Sequence, residues 1–167
     1  MGLSMSMTLT QARLKELLHY DPETGVFTWL VRTSTCIRVG DIAGYRDGDG
    51  YLRIGICGGQ YRAHRLAWLY MTGKWPIDQI DHKNAVKNDN RWKNLREATC
   101  AINNQNKRKA LRNNRTGFLG VSRNGKGFIA QIKINEKRRN LGTYPTPELA
   151  HEAYLKAKRE LHAGCTL

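Results

Sequence analysis

The sequence predicts a mixed α+β protein, and three observations carry this prediction. Helical periodicity with capping residues occurs near both ends of the chain, from residue 8 and again from residue 146. Short β-rich runs, bounded by glycine- and asparagine-containing turns, fill much of the sequence between them. Two further ordered segments and a capped helix follow one another between residues 78 and 109. At 167 residues, the chain is long enough for one or two small domains.

Residues 1–77 are predicted to form a supporting region of helices and short strands. Thr8 or Thr10 can cap a first helix that continues to about His19. Strand-like runs follow at residues 26–31 and within residues 41–63, where glycine-containing turns separate them. A second helix is predicted over residues 64–72, before a glycine that can end it. This region contains no convincing catalytic set of residues, so we expect it to support the segment that follows.

Residues 81–103 contain the side chains that cleavage of a phosphodiester requires. His82 is a natural general base, because an unperturbed imidazole has a pKa near ~6.5. Asp81 is a hard oxygen donor suited to Mg²⁺ or Mn²⁺, and the side-chain carbonyl of Asn103 would be a second oxygen ligand. A bound cation would stabilise the leaving 3′ oxygen. Neighbouring strand residues point to opposite faces, so we expect the strand to end or bend at Asp81-His82.

The same segment, residues 78–109, is predicted to fold as two ordered β segments and a helix. Polar, turn-prone residues 83–90 predict a loop that leads to a second ordered segment at residues 92–96. Thr99 can then cap a helix that continues to about Lys109. On that helix Asn103, Asn106 and Lys107 would share one face.

The chain resembles the HNH homing endonucleases of phages and introns. The resemblance rests on Asp81-His82, on Asp89-Asn90-Arg91-Trp92 with Asn94-Leu95-Arg96, and on Asn103. It implies a ββα-metal fold in which His82 is the general base. Asp81 and Asn103 would hold one divalent ion, and Asn94 would fix the loop to the strand.

Asn103 stands where the family signature has histidine in other members, so the resemblance favours Mg²⁺, with Mn²⁺ possible, and no zinc. The asparagine spacings alone are weak evidence, because all 12 asparagines fall between Asn84 and Asn140. His64 lies in a segment that is also common in these proteins. We interpret it as mainly structural, with a catalytic role as the alternative.

Positive charge is concentrated after the predicted dyad. Residues 83–139 hold 16 Lys and Arg against 3 Asp and Glu, which accounts for +13 of the net charge of +14. Such a block predicts a protein that displaces counterions from nucleic acid, with salt-sensitive binding. Residues 110–117 are predicted to be a basic linker. The DNA-contacting residues expected in and beside it are Lys107, Arg108, Arg112 and Arg115.

Residues 118–163 are predicted to form three short strands followed by a helix. The strands are expected at residues 119–123, 128–135 and 137–144, and the second one alternates apolar and polar positions. Thr146-Pro147-Glu148 supplies a cap, a proline at the first helical position and an acid in the first turn. This part resembles the ethylene-response-factor type of DNA-binding domain. The resemblance rests on Gly120-Val121, Gly127 to Ile132, Leu141 to Tyr144, Glu148-Leu149-Ala150 and Ala153-Tyr154.

That resemblance implies a sheet in the major groove of double-stranded DNA. The residues expected near DNA are Arg123, Lys126, Gln131, Lys133, Arg138 and Arg139. Asn140 stands where the family usually carries tryptophan, so the base contacts and the target sequence do not carry over. The alternative is a plain scaffold with a solvated basic face.

The sequence therefore predicts a metal-dependent DNA endonuclease of the homing type, with its chemistry and its DNA recognition on separate modules. One site per chain predicts a nick by a monomer, and a double-strand break would need a weak dimer or two events. A non-catalytic DNA-binding regulator and an RNA-binding protein are the alternatives. Four scattered cysteines and the lack of a secretory signal or long apolar segment predict a cytoplasmic protein without a membrane partner. The resemblance to phage HNH homing endonucleases implies a protein encoded by a phage and acting in its bacterial host.

Overall fold

The computed structural model describes residues 9–107, 109–110, 113–162 and 165. It is a mixed α+β protein with several small antiparallel sheets, as predicted. Arg108 and Arg112, two of the predicted DNA contacts, lie outside the described residues. The chain divides into two compact units, Met1–Ala98 and Thr99–Leu167. Among the described residues, no helix is long and apolar enough to cross a membrane.

The first unit is built from three small sheets and two helices. Its elements in chain order are α1 (Gln11–Leu17), β1 (Leu18–Tyr20), β2 (Phe27–Trp29), β3 (Tyr45–Arg46), β4 (Leu52–Ile56), β5 (Gly59–Arg62), α2 (Ala63–Thr72), β6 (Gln79–His82), the 3-10 turn Trp92–Asn94 and β7 (Leu95–Ala98). β1 pairs with β2, β4 lies between β3 and β5, and β6 pairs with β7. One hydrophobic core extends through the unit from Leu9 to Leu95, so the N-terminal elements and the β6–β7 hairpin pack together.

The predicted first helix is shorter than expected. The Thr10 hydroxyl caps it by accepting a hydrogen bond from the Arg13 amide at 3.2 Å, as the sequence predicts, whereas Thr8 lies outside the described residues. The helix ends at Leu17, and Leu18 takes an extended conformation opposite Trp29 in β2. Strand pairing at Leu18–Tyr20 therefore replaces the last helical turn, because it buries Leu18 and Tyr20 in the core.

The second unit contains a helix, a three-stranded sheet and a long helix. Its elements are α3 (Cys100–Gln105), β8 (Val121–Asn124), β9 (Gly127–Ile134), β10 (Lys137–Tyr144) and α4 (Pro147–Leu161). β9 is the central strand, and α4 packs against the sheet through small side chains such as Ala150 and Ala157. Asn135 and Glu136 both have positive φ, of 48° and 65°, which is the conformation that a tight two-residue hairpin turn requires.

The helix predicted after Thr99 is also shorter than expected. The Thr99 hydroxyl caps it as predicted, accepting from the Ile102 amide at 3.4 Å, but the helix ends at Gln105 and not near Lys109. Asn106 and Lys107 thus lie beyond the helix and do not extend a helical face with Asn103. The carbonyl oxygen of Lys107 instead accepts a hydrogen bond from the buried Lys158 of α4. The order β6, β7, α3 nevertheless agrees with the predicted ββα order.

Candidate functional site

Asp81 and His82 lie at the C-terminal end of β6, where the strand ends, as the sequence argument requires. Both residues are buried, at 5% and 4% exposure. Across the hairpin, Asp81 is opposite Arg96 and His82 is opposite Leu95. Since directly opposed residues of an antiparallel pair share a face, the β6–β7 register places Asp81 beside the Arg96 guanidinium.

The carboxylate of Asp81 forms an ion pair with Arg96. Arg96 donates from Nε and Nη2 to Oδ2 of Asp81 at 2.9 and 2.8 Å. The Asp81 side chain is 6% exposed and the Arg96 side chain is 24% exposed. A buried carboxylate needs such a partner, because removing a charge from water without compensation is costly. Sequence reasoning missed this role of Arg96, because it follows only from the strand register.

The His82 ring is oriented by Asn90, from the loop between β6 and β7. Nε2 of His82 lies 3.2 Å from Oδ1 of Asn90, and both side chains are buried. A carbonyl oxygen only accepts, so this contact assigns the ring proton to Nε2 and the basic lone pair to Nδ1. Burial lowers the pKa of His82, against smaller opposing effects of the Asn90 hydrogen bond and of Asp81 and Asp89. The imidazole is therefore neutral at pH 7, the form a general base needs.

Asn94 fixes the loop that carries Asn90. Its Nδ2 donates to the carbonyl oxygen of Asp89 at 2.7 Å, and its Oδ1 accepts from the amide of Asn84 at 3.0 Å. Asn94 is 6% exposed, so water does not replace these bonds easily. The loop is also tied to the core, since the Tyr20 hydroxyl donates to the Asn90 carbonyl oxygen at 2.6 Å. These contacts give Asn94 the geometry of a loop-fixing residue.

His64, at the start of α2, packs directly against His82. The two rings meet edge to face with centroids 5.0 Å apart, and Tyr51 contacts both rings at 5.3 and 6.1 Å. Burial, followed by the neighbouring His82, lowers the pKa of His64 to about 3. Nδ1 of His64 has no hydrogen-bond partner among the residues that the structure describes. His64 is thus a neutral ring beside the candidate base, which sequence reasoning did not place there.

The predicted metal ligands fall on both units. Asp81 belongs to the first unit, and Asn103 lies on α3 in the second. No cluster of three or more His, Cys, Asp or Glu side chains suited to a metal ion occurs within the described parts of the chain. A carboxylate and an amide carbonyl are nevertheless hard oxygen donors, and Mg²⁺ binds through few protein ligands together with substrate phosphates. Each of the two residues is therefore chemically suited to be a ligand of a divalent cation.

In the second unit, the predicted DNA-contacting residues are divided between the two faces of the sheet. Arg138 is opposite Lys133, and Asn140 is opposite Gln131, so Gln131, Lys133 and Arg138 share one face. These three residues line a shallow cavity of about 310 Å³ together with Asn114 and Ser122.

The opposite face of the sheet packs against α4. Arg139 is opposite the buried Ile132, and Arg123 is opposite Phe128, so both arginines belong to that side. Lys126 lies in the turn between β8 and β9. Arg115 is in the described part of the predicted linker, whose Asn114 side chain donates to the Phe118 carbonyl oxygen at 2.9 Å.

Comparison with known proteins gives a separate line of evidence for part of the chain. Residues 61–105 match the HNH endonuclease family model. The match includes α2, the β6–β7 hairpin and α3, and so contains His64 as well as the dyad. It covers less than half of the chain.

Two individual proteins are similar to this chain. Over 64 residues, 35% of this chain, it is 47% identical to the ethylene-responsive transcription factor ERF117 of Arabidopsis thaliana, and it spans 20% of that protein's length. A solved structure that describes DNA binding and cleavage by the HNH homing endonuclease I-HmuI aligns with 89% of this chain and 88% of its own, at 22% identity and a TM-score of 0.44. That degree of superposition does not establish a common arrangement of the whole chains.

Proposed function

We propose that this protein is a metal-dependent DNA endonuclease that nicks double-stranded DNA, and that Asp81 and His82 belong to its active site. The observation that carries the proposal is the buried His82 at the end of β6, whose ring nitrogen Nε2 lies 3.2 Å from Oδ1 of Asn90 and whose sequence neighbour Asp81 is also buried. This arrangement lies inside the segment that matches the HNH endonuclease model. A protein that only binds DNA has no need of a buried, oriented base next to a carboxylate.

In this mechanism, His82 accepts a proton on Nδ1 from the attacking water. Asn90 keeps the other proton on Nε2 and stabilises the imidazolium that forms, because its carbonyl dipole faces the ring N–H. Asp81 and Asn103 would hold Mg²⁺ or Mn²⁺. When bound, that ion stabilises negative charge on the phosphate and on the leaving 3′ oxygen. The resulting hydroxide attacks phosphorus, the bond between phosphorus and the 3′ oxygen breaks, and that oxygen takes a proton from solvent water. The products would carry 5′ phosphate and 3′ hydroxyl ends.

We assign DNA recognition to the second unit, with Gln131, Lys133 and Arg138 on the exposed face of its sheet. Arginine and glutamine present paired groups that match guanine and adenine edges, whereas lysine mainly contacts phosphates. The short likeness to an ethylene-responsive transcription factor supports this role. Lys107 and Arg115 would add phosphate contacts beside it.

Nicking of supercoiled plasmid with Mg²⁺ tests the proposal. His82→Ala should lower the rate by about 10²–10⁴-fold, the usual contribution of a general base, while DNA binding persists. His19→Ala is the matched control, because that histidine is exposed in the first unit. Chelation of divalent ions should abolish nicking, and Asp81→Asn should raise the Mg²⁺ concentration required. Equal rates for wild type and His82→Ala, or no nicking of any of several plasmids by wild type, would count against the nuclease.

A DNA-binding regulator is the second candidate, favoured by the polar face of the second unit's sheet. It predicts sequence-dependent binding without nicking under any metal condition. The plasmid experiment therefore separates the two candidates directly, since binding and nicking are measured on the same DNA.

A further inference from the structure

Tyr51 connects the candidate base to a group of surface cations in the first unit. Its ring centroid lies 6.1 Å from that of His82 and 5.3 Å from that of His64. The Arg62 guanidinium lies 4.2 Å from the same centroid, and the Lys87 ammonium lies 5.0 Å from it. Two cations from distant parts of the sequence therefore converge on the aromatic neighbour of His82.

The position of Tyr51 is fixed by the turn between β3 and β4. Oδ1 of Asp47 accepts from the amides of Asp49 and Tyr51 at 3.0 and 2.9 Å. The other oxygen of Asp47 accepts from Arg53 Nε at 2.7 Å. The turn is thereby held by its own hydrogen bonds, and the carboxylate of Asp47 is already paired.

Lys87 joins this turn to the loop of the candidate site. Its Nζ donates to the carbonyl oxygen of Asp49 at 2.8 Å. Lys87 belongs to the same loop as Asn90, which orients His82. A ligand that binds Lys87 would therefore be located next to the loop that holds the base.

Arg46 adds a third cation to this group. A side-chain carbon placed on Gly50 would lie 3.5 Å from Nη2 of Arg46 and 4.0 Å from the side chain of Lys87, so the two side chains flank that glycine. Within the part of the chain that the structure describes, the ion pair formed by this group joins Arg62 to Asp49 at 4.0 Å, and the Asp49 side chain is 70% exposed. An exposed pair at this separation is weak. The three cations thus outnumber the acidic charge facing them.

We propose that Arg46, Arg62 and Lys87, which we term the Tyr51 cation cluster, bind a DNA backbone phosphate beside the one that is cleaved, and so hold the DNA strand at the candidate site. This inference rests on the proposed nuclease function. The aromatic face of Tyr51 holds Arg62 and Lys87 near the ring without neutralising their charge. Positive charge that is fixed in place and exceeds the facing negative charge is suited to phosphate recognition.

The salt dependence of DNA binding tests the cluster. Each of Arg62→Gln and Lys87→Gln should reduce the slope of log affinity against log salt concentration by about one, the loss expected for one phosphate contact. Binding is measured with a duplex in the absence of divalent ions, so that no cleavage occurs. Lys15→Gln is the matched control, because Lys15 also lies over a tyrosine, 5.0 Å from the ring of Tyr70, and the ring contacts of that tyrosine are with Tyr20 and Phe27. Arg62→Lys keeps the positive charge, so it should retain most of the wild-type slope of log affinity against log salt concentration.

Kinetics separate phosphate binding from a purely structural role. A phosphate that does not react is bound equally in the ground state and the transition state, so Arg62→Gln and Lys87→Gln should raise KM and leave kcat unchanged. If the cations only support the site around His82, kcat should fall at unchanged KM. The latter result, or a salt slope equal to that of wild type in both variants, would overturn the proposal.

The two proposals fail in different ways. If wild type nicks plasmid and His82→Ala does not, but the cluster variants bind and cleave like wild type, the cluster alone is refuted. In the other case, neither wild type nor any variant nicks DNA, but the affinity of the cluster variants for DNA depends less steeply on salt concentration. The cluster then binds phosphate and the nuclease assignment is wrong. Tryptophan fluorescence controls for folding of the first unit, because Trp29, Trp68, Trp75 and Trp92 all belong to it.

Discussion

The two units of this protein use polar residues in opposite ways. In the first unit, polar side chains of the candidate site are buried among large apolar residues such as Phe27 and Leu66, and they hydrogen-bond to one another. In the second unit, the core combines small residues such as Ala130 and Ala150 with apolar residues such as Ile132, and the predicted contact residues Lys133 and Arg138 are exposed on the sheet.

This difference has a functional meaning. A catalytic base must be fixed in position and protonation state, and a buried hydrogen-bond network achieves both. Residues that contact DNA must instead project from the surface, where their charges remain solvated until binding. We therefore expect substitutions in the first site to change stability and chemistry, and substitutions on the sheet of the second unit to change affinity alone.

Among single substitutions, the largest effect on stability is expected for Asn94→Ala. It removes two hydrogen bonds and leaves partly buried backbone groups of the loop without these partners, which should cost about 2 kcal/mol of unfolding free energy. Nicking should also fall by at least about 10-fold, because the loop carries Asn90. Denaturant unfolding followed by tryptophan fluorescence measures the stability of the first unit.

Asn88→Ala is the control for that prediction, since Asn88 is exposed in the same loop. It should change stability by less than about 0.5 kcal/mol. Equal stability of the two variants would mean that the first unit is not held by its buried polar groups, and would remove the contrast between the units.

The Asp81–Arg96 pair should respond asymmetrically to substitution. Arg96→Met leaves the more buried carboxylate uncompensated and should cost about 2 kcal/mol. Asp81→Asn leaves a guanidinium that is partly in contact with water, and should cost less than about 1 kcal/mol. The same fluorescence measurement applies, and a larger loss for Asp81→Asn would contradict this order.

The first unit should lose stability in mild acid because of His64. Its pKa is about 3 in the folded state, below the ordinary value of 6.5. The unfolded chain therefore binds the proton more readily, and stability falls as pH decreases from about 6.5 towards 3, by up to about 1.4 kcal/mol per pH unit. Unfolding of His64→Leu should show a smaller slope over this range. An unchanged slope would mean that the ring is protonated in the folded protein.

Smaller effects are expected on the sheet of the second unit. Lys133→Gln and Arg138→Gln should each lower the salt slope of DNA binding by about one, with stability changed by less than about 0.5 kcal/mol. Arg139→Gln, on the opposite face, should have less effect on the slope than Arg138→Gln. Lys156→Gln on the exposed side of α4 is the control. If Arg138→Gln and Arg139→Gln reduce the slope equally, the face of the sheet on which an arginine lies does not matter for DNA binding, and only its charge does.

Much of the local structure followed from the sequence. The caps at Thr10, Thr99 and Thr146, the turn after β9 and the alternation of β9 lie where local chemistry predicts them. The ends of helices were predicted less well, because α1 and α3 end where later residues gain more from strand pairing or other tertiary contacts than from another helical turn. Caps act within one turn, whereas helix ends depend on distant partners.

The sequence by itself determined which segment carries the Asp81-His82 pair and in what order two strands and a helix follow in that segment. It also determined that positive charge is concentrated after the pair. Only the tertiary structure brought Asn90 to His82, Arg96 to Asp81 and the cations to Tyr51. The physical reason is that these contacts depend on strand register and loop closure. Both are set by burial of the whole core, which no short stretch of sequence specifies.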